Sequence, residues 1–268
     1  MANCSDEIEI RDVWAHNLES EVDLISQGLK NYPYIAIDTE FPGTVEPGPV
    51  PRRYHSTTYS SLMTNINLTK LIQLGITIGD DKGNLPKVEG SKKSCIWQFN
   101  FQDFDINTDR FVPASIELLR NSGIDFERFR KEGVPLKVFA ETIMMSGVFS
   151  NVFVRLINFH GSSDFGYLIK CLRWEDLPEK YDVFMELVKV FFPDFIDVSH
   201  LATKCPVYGG LETLASLIGL KRVGPAHQAG SDSLLTYRVC MRLKESYCSN
   251  DVFLSSLNVI YGLESLDN

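Results

Sequence analysis

Two acidic residues with a single residue between them end an apolar run near the start of the chain. The run reads YPYIAIDTEFPG (residues 32–43), and its acids are Asp38 and Glu40. Side chains alternate between the two faces of a strand, so both carboxylates point to one side and Thr39 points to the other. Because burying an unpaired carboxylate is costly, the pair indicates either a solvated strand edge or a site that binds something.

The spacing of these two acids is weak evidence by itself. Another Asp-x-Glu pair, Asp125 and Glu127, lies in the polar stretch GIDFERFRKEG, and we assign that pair to a solvated face. Asp38 and Glu40 differ because they directly follow an apolar strand, and α/β proteins place functional groups at strand ends. We therefore take Asp38 and Glu40 as candidates for chemistry.

Asp164 is a further candidate acid. It follows the apolar stretch LINFHG, and Ser162 or Ser163 is suited to cap the helix that DFGYLIKCL predicts. An acid in the first turn also has an ordinary structural role, because it interacts favourably with the helix dipole. Both interpretations of Asp164 stay open on the residues alone.

Asp232 and His227 share a short segment that contains several structure-breaking residues. In VGPAHQAGSDSLLTYRVCMRLK, Asp232 lies near the start of an amphipathic helix, and His227 lies on the loop before it. A lone histidine is more often a structural hydrogen-bonding residue, and His160 stays undecided. We interpret three others as structural: His16, His55 and His200. His227 is favoured because an acid lies in the same glycine-flanked segment.

Four carboxylates in one pocket would repel one another and raise one another's pKa values unless cations were present. Oxygen ligands favour Mg²⁺ or Mn²⁺ over zinc. Two such ions about 4 Å apart can hold a phosphodiester, one activating a water molecule and the other stabilising the leaving oxygen. Histidine is the side chain best suited to accept a proton near neutral pH, so His227 would serve as the base for that water.

The elements that would position these residues intermix along the chain. RDVWAHNLESEVDLISQGLK predicts a helix with apolar positions from Val13 to Leu29, and residues 46–61 are expected to form a loop. Strands that would form a meander are predicted for YPYIAIDTEFPG, LTKLIQLGITIGD and KKSCIWQFNFQDF. Later segments mix helix patterns with short strand patterns, VFVRLINFHG and DFIDVS. This mixture favours an α/β fold with a mixed sheet.

Length and composition limit the class of protein. The 268 residues are 44% hydrophobic without a shift in composition, which predicts a single domain over residues 1–268. No apolar run is long enough for a membrane span, so we expect a soluble intracellular protein with no membrane partner. The six scattered cysteines predict neither a disulfide framework nor a zinc site. The net charge of −9 argues against broad phosphate binding, but it permits an acidic pocket that reaches phosphate through metal ions.

Three stretches carry a resemblance to a known superfamily. DTEFPG, HGSSDFGYLIK and GPAHQAGSDSLLT occur in this order and closely resemble the three exonuclease motifs of the DEDD superfamily, in its histidine-bearing subclass. More narrowly, they resemble the deadenylase family associated with the CCR-NOT complex. The resemblance extends to VWAHNLESE, LIQLGIT, WQFNF and SIELLRNSGIDF, and therefore covers nearly the whole chain.

The resemblance implies a ribonuclease-H-like fold, with a mixed sheet flanked by helices, and an exonuclease that removes poly(A) from the 3′ end of messenger RNA and releases 5′-AMP. It implies two divalent cations, Mg²⁺ or Mn²⁺. Asp38, Glu40 and Asp232 would hold the first, Asp38 and Asp164 would hold the second, and His227 would be the general base. It also implies a poly(A) RNA substrate, a large scaffold subunit and a second deadenylase as partners, and a location in the cytoplasm and the nucleus.

The sequence departs from that family in two places. The family usually has Gly-Tyr where this chain has Ser162-Ser163. After the first motif, the family also has a shorter stretch than the EPGPVPRRYHSTT of this chain. The first difference would alter how the terminal nucleotide packs, and the second would alter substrate access. Neither removes a proposed metal ligand. Two alternatives stay open: a largely non-catalytic adaptor in the same complex, or an exonuclease of this superfamily that acts on other RNA or on DNA.

Overall fold

Strands and helices intermix through the residues that the computed structural model describes, 7–48, 57–87, 90, 92–149 and 151–264. The strands, in chain order, are β1 (Ile8–Val13), β2 (Tyr34–Glu40), β3 (Thr57–Thr58), β4 (Gln73–Gly79), β5 (Ser94–Asn100), β6 (Arg155–Asn158), β7 (Phe195–Asp197) and β8 (Leu263–Glu264). The helices are α1 (Leu18–Gly28), α2 (Tyr59–Leu68), α3 (Pro113–Asn121), α4 (Phe126–Glu132), α5 (Leu136–Ser146), α6 (Ser162–Arg173), α7 (Tyr181–Phe191), α8 (Val198–Ala202), α9 (Leu211–Leu217), α10 (Ala229–Ser246) and α11 (Asn250–Leu254). Within these described ranges, every helix is too short or too polar to cross a lipid bilayer.

One mixed sheet organises the molecule. Its strand order is β1-β5-β4-β2-β6-β7, and β3 pairs separately with β8. β5, β4 and β2 pair antiparallel, which confirms the predicted meander. β6 pairs in parallel with β2, and β7 pairs in parallel with β6, so the predicted mixed sheet is confirmed as well.

The helix predicted to include Val13 is wrong at its start. Residues up to Val13 form β1, which pairs in parallel with β5, and α1 begins only at Leu18. The Asn17 side chain turns the chain between them, because it accepts a hydrogen bond from Trp14 N (2.7 Å) and donates one to the Asp12 carbonyl (3.1 Å). The apolar spacing therefore joined two different elements into one predicted helix.

The loop predicted for residues 46–61 is wrong at its end, while its middle, residues 49–56, lies outside the described residues. α2 already begins at Tyr59, where the Thr58 hydroxyl caps it by accepting a hydrogen bond from the helix backbone. The segment is mostly polar, but Tyr59 and Ile66 lie on one buried stripe. This helix depends on packing more than on intrinsic propensity, and local sequence therefore failed to predict it.

Alternate residues of β2 face two different helical layers. Ala36 packs in an apolar cluster with α10, whereas Ile37 packs in a second cluster with residues of α1, α5 and α6. The same alternation puts Asp38 and Glu40 on the side of α10 and puts Thr39 on the side of α6. The end of β2 is therefore the place where residues from both layers can meet.

β4 presents two glycines to α10. Gly75 pairs with Asp38 across the strands, and a Cβ built on it would lie 1.8 Å from the carbonyl oxygen of Ala229 at the start of α10. A Cβ on Gly79 would overlap the ring of Tyr237. The absence of both side chains allows the start of α10 to lie directly beside the end of β2.

We predict that Gly75→Ala displaces the start of α10. The added methyl group has backbone atoms in its way, so we expect a loss of about 1–3 kcal/mol in the free energy of unfolding, measured by urea denaturation. Gly210→Ala is the matched control, because a Cβ at Gly210 meets no atom within 4 Å. Equal stability of the two variants would contradict the close contact.

Candidate active site

Three carboxylates from β2 and α10 converge at the end of β2. One oxygen from each of Asp38, Glu40 and Asp232 lies within 4.8 Å of the other two. Asp38 and Glu40 are half-buried, and Asp232, the fourth residue of α10, is buried. The structure therefore brings together three of the four acids that the sequence singles out.

The fourth acid, Asp164, lies beside this group but is held apart from it. Asp164 is in the first turn of α6, and its Oδ1 accepts a hydrogen bond from the Thr39 hydroxyl (2.6 Å). Both side chains are buried. Thr39 points away from Asp38 and Glu40, as the strand alternation predicts, yet it belongs to the site because it holds Asp164.

The turn that leads into α6 differs from the expectation that Ser162 or Ser163 caps the helix. Gly161 is the capping residue, and it has no side chain that could accept a hydrogen bond. The buried carboxylate of Asp197, at the end of β7, instead accepts hydrogen bonds from the backbone N–H groups of His160 (3.0 Å) and Gly161 (3.1 Å). Asp197 thus fixes the turn that precedes Asp164, a role that the sequence did not indicate.

Burial and mutual repulsion raise the pKa values of the clustered carboxyl groups. The pKa of Glu40 rises to about 8, because burial, followed by the charges of Asp232 and Asp164, disfavours its ionised form. Burial and the same two neighbours raise the pKa of Asp38 well above its usual range. Burial also raises the pKa of Asp164 to about 7. Positive charge in this pocket would relieve the repulsion.

Two donors orient the carboxylate of Asp232. Arg222 Nη1 donates to its Oδ1 (2.7 Å), and the backbone N–H of His227 donates to its Oδ2 (2.9 Å). Arg222 also pairs with Glu212 (2.7 Å), and only 13% of its side chain is exposed. Arg222 is not predictable from the sequence as part of the site, because an arginine ten residues before Asp232 carries no signal of its own.

His227 lies at the exposed edge of the site. Its backbone adopts a left-handed conformation (φ 61°), and its carbonyl oxygen accepts a hydrogen bond from the Ser122 hydroxyl (2.7 Å). Since its N–H is bound to Asp232, the backbone of His227 is anchored on both sides. The residue itself is exposed, so His227 lies beside Asp232 while it stays accessible to solvent.

Two glutamine side chains hold the start of α10 against the sheet. Gln73 Oε1 accepts a hydrogen bond from Ala229 N (2.8 Å), and Gln98 Oε1 accepts one from Gly230 N (3.1 Å). The first N–H groups of a helix have no partner within the helix, so these side chains replace a local cap. The sequence analysis missed both glutamines. Their signal would have been a buried amide in an otherwise apolar strand.

The cluster of three carboxylates is suited to bind a divalent cation. Its donors are all carboxylate oxygens, which Mg²⁺ and Mn²⁺ prefer. Bringing three acids together in a partly buried pocket is unfavourable without compensating positive charge. The raised pKa values of Asp38 and Glu40, whose main cause is burial, show this cost. Asp38, Glu40 and Asp232 are the residues that would hold such an ion, with Asp164 beside them.

Comparison with known sequences identifies the family. A family model described as CAF1 family ribonuclease matches residues 13–143. CCR4-associated factor 1 homolog 7 of Arabidopsis thaliana is 46% identical over 264 residues, covering 96% of this chain and 94% of that protein. The chain belongs to the CAF1 family. Another CAF1-family relative, Poly(A) ribonuclease pop2 of Schizosaccharomyces pombe, is 37% identical over 258 residues, covering 96% of this chain and 75% of that protein.

Solved structures share the fold of this CAF1-family chain. S. pombe Pop2p in its Mg²⁺- and Mn²⁺-bound form matches with a TM-score of 0.86 and 39% identity, covering 95% of this chain and 99% of that one. A chain from the structure of the yeast NOT1 MIF4G domain co-crystallised with CAF1 matches with a TM-score of 0.79 and 30% identity, covering 94% of this chain and 96% of that one. These matches confirm the predicted ribonuclease-H-like fold and the predicted resemblance to the deadenylase family.

We predict that the metal-free protein loses stability as the pH rises. The folded state raises the carboxyl pKa values, through burial first, to about 8 for Glu40 and about 7 for Asp164. It therefore binds protons more tightly than the unfolded chain, and this contribution to stability is lost as the pH rises from the usual carboxyl range through about 8. Melting temperatures in EDTA at about pH 5.5 and about pH 8.5 test this prediction.

The Glu40→Gln variant is the control for that measurement, because other groups in the protein also titrate. The fall in melting temperature between the two pH values should be smaller in Glu40→Gln than in the wild type. Excess Mn²⁺ should restore the melting temperature of the wild type at the higher pH. A fall of the same size in both proteins would contradict the prediction.

We predict that Thr39→Val weakens the fold by removing the hydrogen bond to Asp164. The two side chains have nearly the same shape, so the main change is a buried carboxylate oxygen without its donor, which costs about 1.5–3 kcal/mol. Urea denaturation in EDTA at about pH 8.5 measures the loss. Thr39→Ser keeps the hydroxyl and should recover most of it. A Thr39→Ser variant as unstable as Thr39→Val would point to packing as the cause.

Proposed function

We propose that this chain is a divalent-cation-dependent 3′-to-5′ exoribonuclease that shortens the poly(A) tails of messenger RNA and releases 5′-AMP. The observation that carries this proposal is the convergence of Asp38, Glu40 and Asp232 at one strand end in a member of the CAF1 family. A relative named as a poly(A) ribonuclease supports the substrate, and a related structure with Mg²⁺ and Mn²⁺ supports the cations.

Each acid has a stated role in this proposal. Asp38, Glu40 and Asp232 would hold one cation, and Asp38 and Asp164 would hold the second. When bound, the two cations supply positive charge that stabilises the attacking and leaving oxygens of a phosphodiester. Thr39 and Arg222 orient Asp164 and Asp232, which is how partners of ligating carboxylates usually contribute.

His227 is the proposed general base. It lies beside Asp232 and is exposed, so its imidazole can accept a proton from the attacking water and return it to solvent. Its anchored backbone keeps the ring near the carboxylates without burying it. This arrangement separates the proton acceptor from the acids that would hold the cations.

The proposal includes partners and a location. A scaffold subunit is supported by the structure of yeast CAF1 with a NOT1 MIF4G domain. A second deadenylase of the same complex and a location in the cytoplasm and the nucleus rest on the sequence resemblance alone. A single exonuclease domain over residues 1–268 rests on length and composition together with that resemblance.

We predict that the purified protein shortens 5′-labelled oligo(A) in Mg²⁺ or Mn²⁺ and stops in EDTA. Asp38→Asn should abolish shortening, and His227→Ala should slow it by about 10²–10⁴-fold, the usual contribution of a general base. Asp125→Asn is the matched control, because Asp125 belongs to the exposed Asp-x-Glu pair and caps α4. It should keep full activity.

The same assay separates the alternatives. If the wild type leaves oligo(A) intact but still binds a NOT1 MIF4G domain, the adaptor interpretation replaces the nuclease. If oligo(U) or matched DNA is degraded as fast as oligo(A), the poly(A) substrate is wrong while the chemistry stands. Shortening that persists in Asp38→Asn or in EDTA would contradict the cation-dependent mechanism.

A further inference from the structure

A large cavity lies along the second half of α10, away from the carboxylates. Its volume is about 730 Å³, and it lies between one face of α10, the β4–β5 connection (residues 81–85) and the segment 219–221. The first residues of β1 and β5, Ile8 and Ser94, form part of its wall. Because β2 and β4 run antiparallel, this is the end of the sheet opposite to Asp38 and Glu40.

The lining of this cavity is basic, whereas the chain as a whole is acidic. Two lining residues are acidic, Asp81 and Glu245, and five are basic: Lys82, Lys221, Arg238, Arg242 and Lys244. The whole chain has a net charge of −9. A local excess of positive charge in an acidic protein creates a region that attracts anions, which the rest of the surface would repel.

Acidic side chains neutralise the basic residues of the cavity lining only in part. Arg242 lies 3.9 Å from Glu245, the outer limit of an ion pair, and both side chains are substantially exposed. Lys244 donates to the hydroxyl of Tyr34 (3.1 Å), a neutral acceptor. Lys82 and Lys221 are exposed. Lys82, Lys221 and Arg242 are therefore available to a ligand at modest cost in broken contacts, whereas Lys244 is held over the rings of Tyr34 and Phe253.

α10 itself runs from this cavity to the catalytic carboxylates, although its first turns are covered and Ser231 is fully buried. Ser231, Arg238 and Arg242 are seven and four residues apart, so they share one face of the helix. Ser231 accepts a hydrogen bond from Arg222 (3.1 Å), the residue that also binds Asp232. At 1.5 Å per residue, Arg238 and Arg242 lie roughly 10 Å and 16 Å along α10 from Ser231.

The segment 219–222 makes a second connection. Lys221 lines the cavity, and the next residue, Arg222, binds the carboxylate of Asp232 (2.7 Å). A strand of nucleic acid whose 3′ end lies at the carboxylates would pass over the largely exposed segment 221–227 before it reaches the cavity. Three of the five cations lie on α10 and the other two lie on neighbouring segments, and this spread suits a row of phosphates better than one compact anion.

We propose that this cavity binds backbone phosphates of the RNA substrate on the 5′ side of the residue being removed. The proposal rests on the nuclease function proposed above. Among the residues that the structure describes, none that lines the cavity is aromatic, so contact through phosphates is favoured over base stacking. The site would add affinity for long tails without reading their sequence.

The test compares Lys82→Gln/Lys221→Gln with a control that changes the same charge elsewhere, Lys180→Gln/Lys189→Gln, which alters the exposed residue before α7 and an exposed residue of that helix. Binding of labelled oligo(A) of about 4 and about 20 nucleotides is measured by fluorescence anisotropy across a salt series, and shortening of the same RNAs is measured in Mg²⁺. The cavity variant should bind the long RNA about 10-fold more weakly at low salt. The slope of the logarithm of its binding constant against the logarithm of the salt concentration should fall in magnitude by about 1.4, or about 0.7 for each lost phosphate contact. The short RNA should be unaffected.

The proposal is wrong if the cavity variant loses no more affinity for the long RNA than the control variant does. It is also wrong if the cavity variant loses the same affinity for the short and the long RNA. Inorganic tripolyphosphate is the competing probe. If the cavity variant loses tripolyphosphate binding but keeps wild-type affinity for both RNAs, the site takes a small anion and the proposal is wrong. Binding is measured apart from hydrolysis, so a wild type that binds but never shortens RNA refutes the nuclease function separately.

Discussion

The contact between the start of α10 and the middle of the sheet determines where the candidate site can form. Gly75 lies opposite Asp38 and leaves room for the backbone of Ala229, and a side chain at that position would separate them. Gln73 and Gln98 then accept the first N–H groups of the helix, which would otherwise lack partners in a buried place. Asp232 is one turn further along. Its position beside Asp38 therefore follows from a backbone contact and two amide caps, and its own interactions only refine that position.

Electrostatic repulsion opposes this assembly. Burial and neighbouring charges raise the pKa values of Asp38 and Glu40, so the fold keeps acids together at a cost. Arg222 offsets part of that cost at Asp232, and backbone N–H groups offset it at Asp197. A group held together against repulsion is typical of a functional site, because stability alone would favour replacing the acids. The remaining repulsion is what a cation would relieve.

The site also joins two layers that are otherwise separated by the sheet. Asp232 comes from the α10 layer, whereas Asp164 comes from the layer that contains α6, and Thr39 reaches Asp164 from the opposite face of β2. Only the end of the strand allows this meeting, because further back the sheet itself separates the layers. The segment before α10 has a similar joining role on the outer side, because Arg222 binds Asp232 and the adjacent Lys221 lines the basic cavity.

The sequence by itself determined the strand that carries Asp38 and Glu40, the helix starts that carry Asp164 and Asp232, the meander of β2, β4 and β5, and the family. These features are local patterns or motifs, so a short window of residues contains them. Only the tertiary structure decided that β1 joins β5, that α2 begins at Tyr59, and that Gln73, Gln98, Arg222 and Asp197 hold the site. Each of these depends on a partner distant in the chain, and the same residue types elsewhere would be ordinary surface or strand residues. Chain pattern selects which side chains can do chemistry, and packing decides which of them meet.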